Sequence, residues 1–348
     1  MKHMKFLSFF LGIAFAIIAC SSNNETIPAP EVDPDGDDGT TEVEFAKGAD
    51  IGWVTEYESK GYNFYNAKGE QRECTALMKE LGLDAIRIRV WVDPSKHGNW
   101  CNTADVVEKA KRAKELGMDV MIDFHYSDWW ADPAQQNKPA SWVGKNLVNL
   151  KSAIKDHTVS VLQALKEIGV IPKWVQVGNE IRPGMLWDED VALSGASYNV
   201  TEKDLKDAPA SATDKVVYPM NWANLGAFVT TGYDAVKSVF PDAIVIVHLD
   251  NGWDSGLFTW FFDELKKNGG KWDMIGMSLY PYWSRDAKEG YSSADAVITD
   301  CISNIKALST KYNCDVMVVE TGMECADDNG KLASTSVLNE GKRQLARI

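Results

Sequence analysis

The stretch "WVQVGNEIRPGMLW", Trp174 to Trp187, decides the fold that this sequence predicts. It begins as a short apolar run with β-branched residues, which is typical of a buried strand. The run ends on an amide and a carboxylate, Asn179 and Glu180. A second run, "DVMVVETG" at 315–322, has the same form and ends on Glu320. Apolar strands that end on polar side chains indicate a site at the carboxyl ends of parallel strands.

Apolar runs of this kind alternate along the chain with amphipathic stretches. One such stretch, "NTADVVEKAKRAKELG" at 102–117, has a capping residue at its start and a glycine at its end, as helices do. Strand and helix in repeated alternation predict a parallel sheet with helical crossovers, here a (β/α)8 TIM barrel. No G-x-G-x-x-G motif follows a run, which disfavours a dinucleotide-binding sheet. The predicted strands are 49–54, 85–91, 119–126, 174–180, 243–250, 274–280 and 315–321.

An eighth strand is not found among these runs. A barrel needs closure to remove its open edges, but after Glu320 the sequence offers a loop and then "LASTSVLNEGKRQLARI" at 332–348, which reads as the seventh helix. We therefore expect a (β/α)8 barrel whose eighth strand is missing from this chain.

The composition divides the chain into three parts. Residues 1–19 have early lysines and an apolar run too short to span a bilayer, as signal peptides do, and "IIAC" before Cys20 resembles a bacterial lipoprotein signal. Residues 20–45 are polar and acidic and predict a flexible linker, and residues 46–348 predict one catalytic domain. We expect export, a lipid on Cys20 and anchoring in a bacterial outer membrane or cell surface. The alternative is an ordinary signal peptide with an incidental cysteine.

The net charge of −14 disfavours nucleic acids and anionic membranes as partners, because both are bound through basic patches. Membrane contact is expected only through the lipid, and the protein is expected to be a monomer. The cysteines after Cys20 form no C-x-x-C pair and no zinc spacing, so one disulfide of unknown pairing is possible. No cofactor and no metal are expected. Asp33, Asp35 and Asp37 are spaced as in a calcium loop, but Asp38 stands where that loop needs glycine.

Polar side chains concentrate at the carboxyl ends of the predicted strands, where barrel enzymes place their catalytic groups. Because side chains alternate faces along a strand, Arg87 shares a face with Arg89, and Glu320 shares a face with Val318. The polar residues at these ends are Arg87, His125, Asp128, Asn179, Glu180, His248, Asp250, Tyr280 and Glu320.

Glu180 and Glu320 would face each other across the mouth of the barrel, since they end the fourth and the seventh strand. A retaining glycosidase needs two carboxyl groups about 5–5.5 Å apart, one to attack the anomeric carbon and one to protonate the leaving oxygen. Arg87 would keep the nucleophile ionised. Several of the 13 tryptophans lie beside strand ends and offer flat faces that suit a sugar. The alternative is that each glutamate is a paired buried charge or a rim residue.

The chain resembles the endo-β-1,4-galactanases of glycoside hydrolase family 53, in clan A. The matching segments span residues 48–322 and include "DFHYSDWWADP" at 123–133 and "GNEIRPGMLW" at 178–187. The resemblance implies that Glu180 is the general acid/base and Glu320 the nucleophile. It also implies that Asn179 holds the sugar 2-hydroxyl, that Arg87 orients the nucleophile, and that the sugar subsites are lined by His125, Asp128, Trp129, Asp250, Trp253 and Tyr280.

The reaction that the resemblance implies is endo-acting hydrolysis of β-1,4-galactan, a neutral side chain of pectin, by double displacement with retention. The family's last strand, which carries a tryptophan at the cleavage subsite, has no counterpart after Glu320. One alternative is another clan A glycanase, such as a mannanase or a xylanase, because the glutamate pair is common to them. The other is a surface lipoprotein that binds the glycan without cutting it.

Overall fold

The computed structural model describes residues 45–187, 222–287, 293–322 and 334–346. Seven of the described strands form one parallel sheet, which rolls into a nearly closed barrel, and two form a small antiparallel hairpin. The sheet order is β1-β4-β5-β6-β7-β8-β9. The strands are β1 (Gly48–Asp50), β2 (Phe64–Tyr65), β3 (Gln71–Arg72), β4 (Ala85–Val90), β5 (Asp119–Phe124), β6 (Trp174–Val177), β7 (Ile244–Leu249), β8 (Met274–Leu279) and β9 (Asp315–Thr321).

Helices follow the barrel strands, as the alternation in the sequence predicts. Asn102 caps the helix predicted over 102–117, where its side chain accepts a hydrogen bond from the amide of Asp105. None of the helices in the described ranges is long and apolar enough to span a membrane. The helices are α1 (Val54–Ser59), α2 (Cys74–Glu80), α3 (Thr103–Glu115), α4 (Leu147–Glu167), α5 (Trp222–Val239), α6 (Ser255–Lys267), α7 (Pro281–Ala287), α8 (Ala294–Tyr312) and α9 (Thr335–Leu345).

Two of the predicted strands end at least three residues earlier in the structure than in the sequence analysis. The first ends at Asp50, and Val54 already begins α1. The fourth strand of the barrel, β6, ends at Val177, so that Asn179 and Glu180 lie in the turn that follows it. The turn after β6, and not only the alternation of the strand, therefore sets the direction of the Asn179 and Glu180 side chains.

Side chains on the barrel strands alternate between two apolar layers. Ile86, Ile88 and Val90 of β4 belong to the core between the strands and the helices. Arg87 and Arg89 alternate with these residues along β4 and face the barrel interior, as the alternation of side chains along a strand predicts. Beneath them, the interior has an apolar floor formed by Ala85, Met121, Trp174, Ile246 and Met274.

The ladder between β8 and β9 contains an irregularity. Met277 pairs with Val318, but the next pair is Ser278 with Glu320, so Val319 is an extra residue in β9. The prediction that Glu320 shares a face with Val318 is wrong, because the bulge changes the alternation. Val318 packs against the outer core, whereas Glu320 turns inward toward the arginine and tyrosine of the site.

The barrel is open at one seam, between β1 and β9. Among the described residues, β9 pairs only with β8, and β1 pairs only with β4. All residues of β8 are buried, whereas every residue of β9 is partly or fully exposed. The expected fold, a TIM-type barrel without its eighth strand, is confirmed for the described part of the chain.

Several predictions made from the ends of the sequence fall outside the described residues. The signal at 1–19, nearly all of the linker at 20–45 and the lipidation site Cys20 are among them. Of the cysteines, Cys325 also lies outside, and the described ones are free: Cys74, Cys101, Cys301 and Cys314.

We expect the open seam to be visible in hydrogen exchange. Backbone amides of β9 should exchange at least about tenfold faster than those of β7, because β7 is paired on both sides and β9 on one. Hydrogen–deuterium exchange of the full chain, followed by mass spectrometry, measures both strands in one experiment. Equal protection of β7 and β9 would contradict an uncovered edge.

Candidate active site

Glu180 is held in a turn with unusual backbone geometry. Gly178 has a φ of 83°, and Glu180 has a φ of 48°, in the left-handed region that a residue with a Cβ rarely adopts. Two buried side chains fix this turn: Gln136 Nε2 donates to the carbonyl of Glu180 at 3.3 Å, and the amide of Glu180 donates to His248 Nδ1 at 3.4 Å. Strained backbone of this kind concentrates at functional sites.

The carboxylates of Glu180 and Glu320 lie close together at the carboxyl ends of β6 and β9. An oxygen of one lies within 4.8 Å of an oxygen of the other. Ser278 Oγ donates a hydrogen bond to Glu180 Oε1 at 2.6 Å, and the hydroxyl of Tyr280 donates to Glu320 Oε1 at 3.0 Å. Each carboxylate is therefore oriented by its own hydroxyl donor from the end of β8.

The two carboxyl groups differ in their electrostatic surroundings. Burial raises the pKa of Glu180 well above its usual range, and the negative charges of Glu320 and Asp250 raise it further. Burial also raises the pKa of Glu320, but the Arg87 guanidinium and the Tyr280 hydroxyl oppose that rise. Two neighbouring carboxylates resist being charged together, which favours a single shared proton on the pair. The surroundings favour a protonated Glu180 and an ionised Glu320.

Arg87 lies beneath the pair and binds several acceptors at once. Its Nη1 is 2.8 Å from Asp50 Oδ2, and its Nη2 is 2.9 Å from both Asp123 Oδ2 and Asn179 Oδ1. Glu320 Oε2 is farther away, at 3.6 Å. Arg87 is thus positioned mainly by two aspartates and an amide, and it acts on Glu320 at longer range.

Sequence reasoning missed several residues that complete this site. Gln176 Nε2 donates to Asp123 Oδ1 at 2.6 Å in the barrel interior. The period of two could have identified both, since Asp123 shares a face with His125 and Gln176 lies two residues after Trp174 on the inner face of β6. Other missed residues, such as Ser278, depend on contacts between strands that no local pattern encodes.

His125 and Asp128, predicted to line the sugar subsites, both bind other parts of the protein. His125 Nε2 is 2.9 Å from Asp123 Oδ2, and its Nδ1 accepts the amide hydrogen of Ala131 at 2.9 Å. Asp128 Oδ1 accepts the backbone amide of Asp93, in the loop after β4, at 3.0 Å, and Oδ2 accepts that of Ala140, farther along its own loop, at 2.8 Å. His125 therefore holds the loop after β5 against that strand, and Asp128 fastens the same loop to the loop after β4.

The remaining predicted subsite residues occupy different surroundings. Asp250 is bound by Arg182 through two contacts, Nε to Oδ1 at 2.8 Å and Nη2 to Oδ2 at 2.9 Å. Trp253 is 9% exposed and packs in the outer core. Trp129 is half-buried and stacks on His97, with ring centroids 3.7 Å apart. Of these three, Trp129 presents the most accessible surface for a sugar.

One group of side chains in the described ranges has the geometry to surround a metal ion. Glu180, His248 and Glu320 each offer an atom, and these atoms lie within 4.8 Å of one another. However, His248 uses both ring nitrogens inside the protein: Nδ1 is 3.0 Å from Gln176 Nε2, and Nε2 is 2.8 Å from Ser278 Oγ. A metal would have to break the second contact.

Comparison with known proteins gives one consistent result. The model of glycosyl hydrolase family 53 matches residues 46–346. The chain is 31% identical over 296 residues to an arabinogalactan endo-beta-1,4-galactanase of Thermothelomyces thermophilus, covering 83% of this chain and 77% of that protein. The solved catalytic domain from Ignisphaera aggregans superposes with a TM-score of 0.68 at 28% identity, covering 86% and 76%. A solved fungal beta-1,4-galactanase gives 0.67 at 26% identity, covering 81% and 75%.

The buried pair of Arg182 and Asp250 should be essential for stability. Asp250→Ala should lower the free energy of unfolding by about 3–5 kcal/mol, because it removes the carboxylate that the buried guanidinium of Arg182 binds through two contacts. Urea denaturation of both proteins measures the difference. Asp234→Ala is the matched control, because it breaks an ion pair with Lys271 whose side chains are more than half exposed, and it should cost far less. Equal losses in the two variants would contradict this account.

Proposed function

We infer the function from one premise: the chain belongs to glycosyl hydrolase family 53, and it is a glycoside hydrolase. From this premise we propose that it cleaves β-1,4-galactan at internal bonds, with retention of configuration at the anomeric carbon. The names of its relatives, which are galactanases, support the substrate. The net charge of −14 fits a neutral polymer.

The observation that carries the retaining mechanism is the separation of the two carboxylates. Their nearest oxygens lie within 4.8 Å. Retaining glycosidases have carboxyl groups about 5–5.5 Å apart, whereas inverting enzymes need about 6.5–9.5 Å to admit a water molecule between the carboxylate and the sugar. The space between Glu180 and Glu320 therefore favours direct attack by a carboxylate on the sugar.

In the first step, Glu320 attacks the anomeric carbon while Glu180 gives its proton to the glycosidic oxygen. The roles follow from the surroundings, since burial and the neighbouring Glu320 raise the pKa of Glu180, while Arg87 and Tyr280 favour the ionised form of Glu320. The C–O bond to the leaving chain breaks, and a glycosyl ester forms on Glu320.

In the second step, a water molecule hydrolyses that ester. Once Glu320 carries the sugar, its negative charge is gone, so one cause of the raised pKa of Glu180 disappears. Glu180, which has given up its proton, then accepts one from the attacking water. The ester bond breaks, Glu320 is released as a carboxylate, and the hydroxyl arrives on the face from which the first chain left.

Groups around the pair have suitable chemistry for binding the sugar. Asn179 Nδ2 donates one hydrogen to the carbonyl of Ala131 at 2.7 Å, which leaves its second hydrogen for the 2-hydroxyl of the sugar at the cleavage subsite. Trp283 is 47% exposed and stacks on Tyr280 with centroids 5.3 Å apart. Together with Trp129, it offers a flat apolar face to the C–H side of galactose.

We also propose that the protein is exported and lipid-anchored through Cys20 in the outer membrane or at the cell surface. The support is the sequence alone, namely the basic start, the short apolar run at 6–19 and the small residue before the cysteine. Such a position would hold the enzyme where large polysaccharides are available.

A protein of residues 46–348 should release reducing ends from β-1,4-galactan. Glu320→Gln should lower its kcat by about 10⁴-fold or more, because an amide cannot act as the nucleophile. A reducing-sugar assay measures this, with mannan and xylan in parallel and Glu264→Gln, on α6 where that side chain pairs with Lys267, as the control. Proton NMR of the first product should show the β-anomer.

Each other outcome has a distinct meaning. Cleavage of mannan or xylan in place of galactan would identify another glycanase specificity. Binding of galactan without cleavage by the folded wild-type chain would favour a glycan-binding protein. An α-anomer as the first product would contradict the retaining mechanism while leaving the substrate intact.

The lipid anchor has its own test. A bacterium that expresses the full chain and is fed radiolabelled palmitate should label the protein and retain it in the membrane fraction, because thiol acylation requires Cys20. Cys20→Ser should abolish the label and release the protein, whereas Ser21→Ala, one residue away, should change neither. Labelling that survives Cys20→Ser would contradict the assignment.

A further inference from the structure

A chain of hydrogen bonds runs through the barrel interior to the carboxylate of Glu180. His248 Nε2 lies 2.8 Å from Ser278 Oγ, and Ser278 Oγ donates to Glu180 Oε1 at 2.6 Å. All three residues are at the carboxyl ends of neighbouring strands, and His248 and Ser278 are at most 2% exposed. Burial protects these bonds from competition with water.

The direction of this chain follows from the donors around His248. Gln176 Nε2 lies 3.0 Å from Nδ1, and the backbone amide of Glu180 donates to the same nitrogen at 3.4 Å. The orientation of the Gln176 amide is set by Asp123, whose Oδ1 accepts from Nε2 at 2.6 Å. Asn179 Oδ1 also lies 3.1 Å from Nδ1, but it already accepts from Arg87 Nη2 at 2.9 Å. The backbone amide of Glu180 can only donate, so Nδ1 is the acceptor and the ring proton is on Nε2.

With its proton on Nε2, His248 donates to Ser278 Oγ. The serine hydroxyl then has one hydrogen left, and it points to Glu180 Oε1. No hydrogen bond from a described residue reaches the other oxygen, Oε2. Oε1 is an acceptor of the serine hydrogen whether Glu180 is ionised or not.

We propose that Ser278 is a positioning residue, a role that rests on the function proposed above. With His248 as the donor to its hydroxyl, Ser278 keeps the catalytic proton of Glu180 on Oε2. An acid/base must present one defined oxygen to the glycosidic oxygen in the first step and to water in the second. Without the serine hydroxyl, the proton could occupy either oxygen, and the carboxyl group could rotate.

A change at Ser278 leaves the charges around Glu180 in place. The charged or titratable groups that face it come from the ends of five strands or the loops after them, and they are Glu320, Asp250, Asp132, Arg182, Tyr280 and His248. Since none of these is altered in Ser278→Ala, a change in the pKa of Glu180 would report the lost hydroxyl.

The hydrogen bond from Ser278 determines in which direction Ser278→Ala should shift the pKa of Glu180. The hydrogen bond from Ser278 stabilises the ionised carboxylate and so lowers the pKa of Glu180, against the larger effect of burial. Ser278→Ala should therefore raise the pKa of Glu180. Because the first step needs protonated Glu180, the alkaline limb of kcat/KM should move to higher pH by the same amount.

The test compares two substrates that differ in their need for an acid. On galactan, Ser278→Ala should lower kcat/KM at the pH optimum by about 10- to 100-fold, because protonation of the leaving oxygen becomes inefficient. On 2,4-dinitrophenyl β-galactobioside, whose leaving group needs no proton, the loss should stay within about threefold. Ser278→Thr keeps the hydroxyl and should return the alkaline limb to the wild-type position.

A second readout is independent of turnover. The titration of the Glu180 carboxyl carbon, followed by ¹³C NMR in the full chain, should show the raised pKa in Ser278→Ala and the wild-type pKa in Ser278→Thr. Thr75→Val is the control, because it removes an equally buried hydroxyl on α2, remote from the pair. Thermal melting verifies that each variant is folded.

The outcomes separate the two proposals. An unchanged carboxyl titration in a folded Ser278→Ala, or an equal loss on both substrates, overturns the role of Ser278. A wild-type chain that cleaves neither substrate overturns the proposed hydrolysis, while the carboxyl titration still decides whether Ser278 controls Glu180.

Discussion

The buried guanidinium of Arg87 is the interaction on which the rest of this structure depends. A charge in a barrel interior is costly unless it is paired, and Arg87 finds its partners on four other elements. Asp50 ends β1, Asp123 lies on β5, Asn179 follows β6, and Glu320 lies on β9. The two edges of the open seam are therefore linked through one side chain at the height of the carboxylate pair. Among the described residues no strand pairing joins β1 to β9, but both strands have a carboxylate that contacts the Arg87 guanidinium.

The same network sets the protonation state that hydrolysis needs. Asp50 and Asp123 lie closer to Arg87 than Glu320 does, so Glu320 shares the attraction of the guanidinium with two other carboxylates. Glu320 receives only part of the attraction, and its pKa stays raised by burial. A stronger pairing with Arg87 would keep Glu320 fully ionised but would make it a poorer nucleophile, since a carboxylate held tightly in an ion pair is less free to attack. The arrangement leaves Glu320 ionised mainly because Glu180 takes the proton.

Much of this could be predicted from sequence, because strand periodicity encodes which face a residue occupies. The inward position of Arg87 and Arg89 follows from that rule, and the two glutamates are found because each follows or ends an apolar run. The rule fails where the backbone leaves the regular strand. A bulge turns Glu320 away from the face of Val318, and the left-handed conformation of Glu180 belongs to a turn. Contacts such as Gln136 with that turn, or Ser278 with Glu180, arise from the register between distant segments, which no local pattern contains.

The two carboxylates that we propose as catalytic are held in different ways, and the seam explains the difference. Glu180 is fixed at both ends, since His248 binds its backbone amide and, through Ser278, its carboxylate. Glu320 lies on a strand that is paired on one side, and its position depends on Tyr280 and Arg87 as much as on the sheet. An acid/base must present one oxygen in one direction, whereas a nucleophile must advance toward the anomeric carbon. Glu180 therefore lies in the sealed part of the barrel and Glu320 beside its open edge, an arrangement that fits the roles proposed for them.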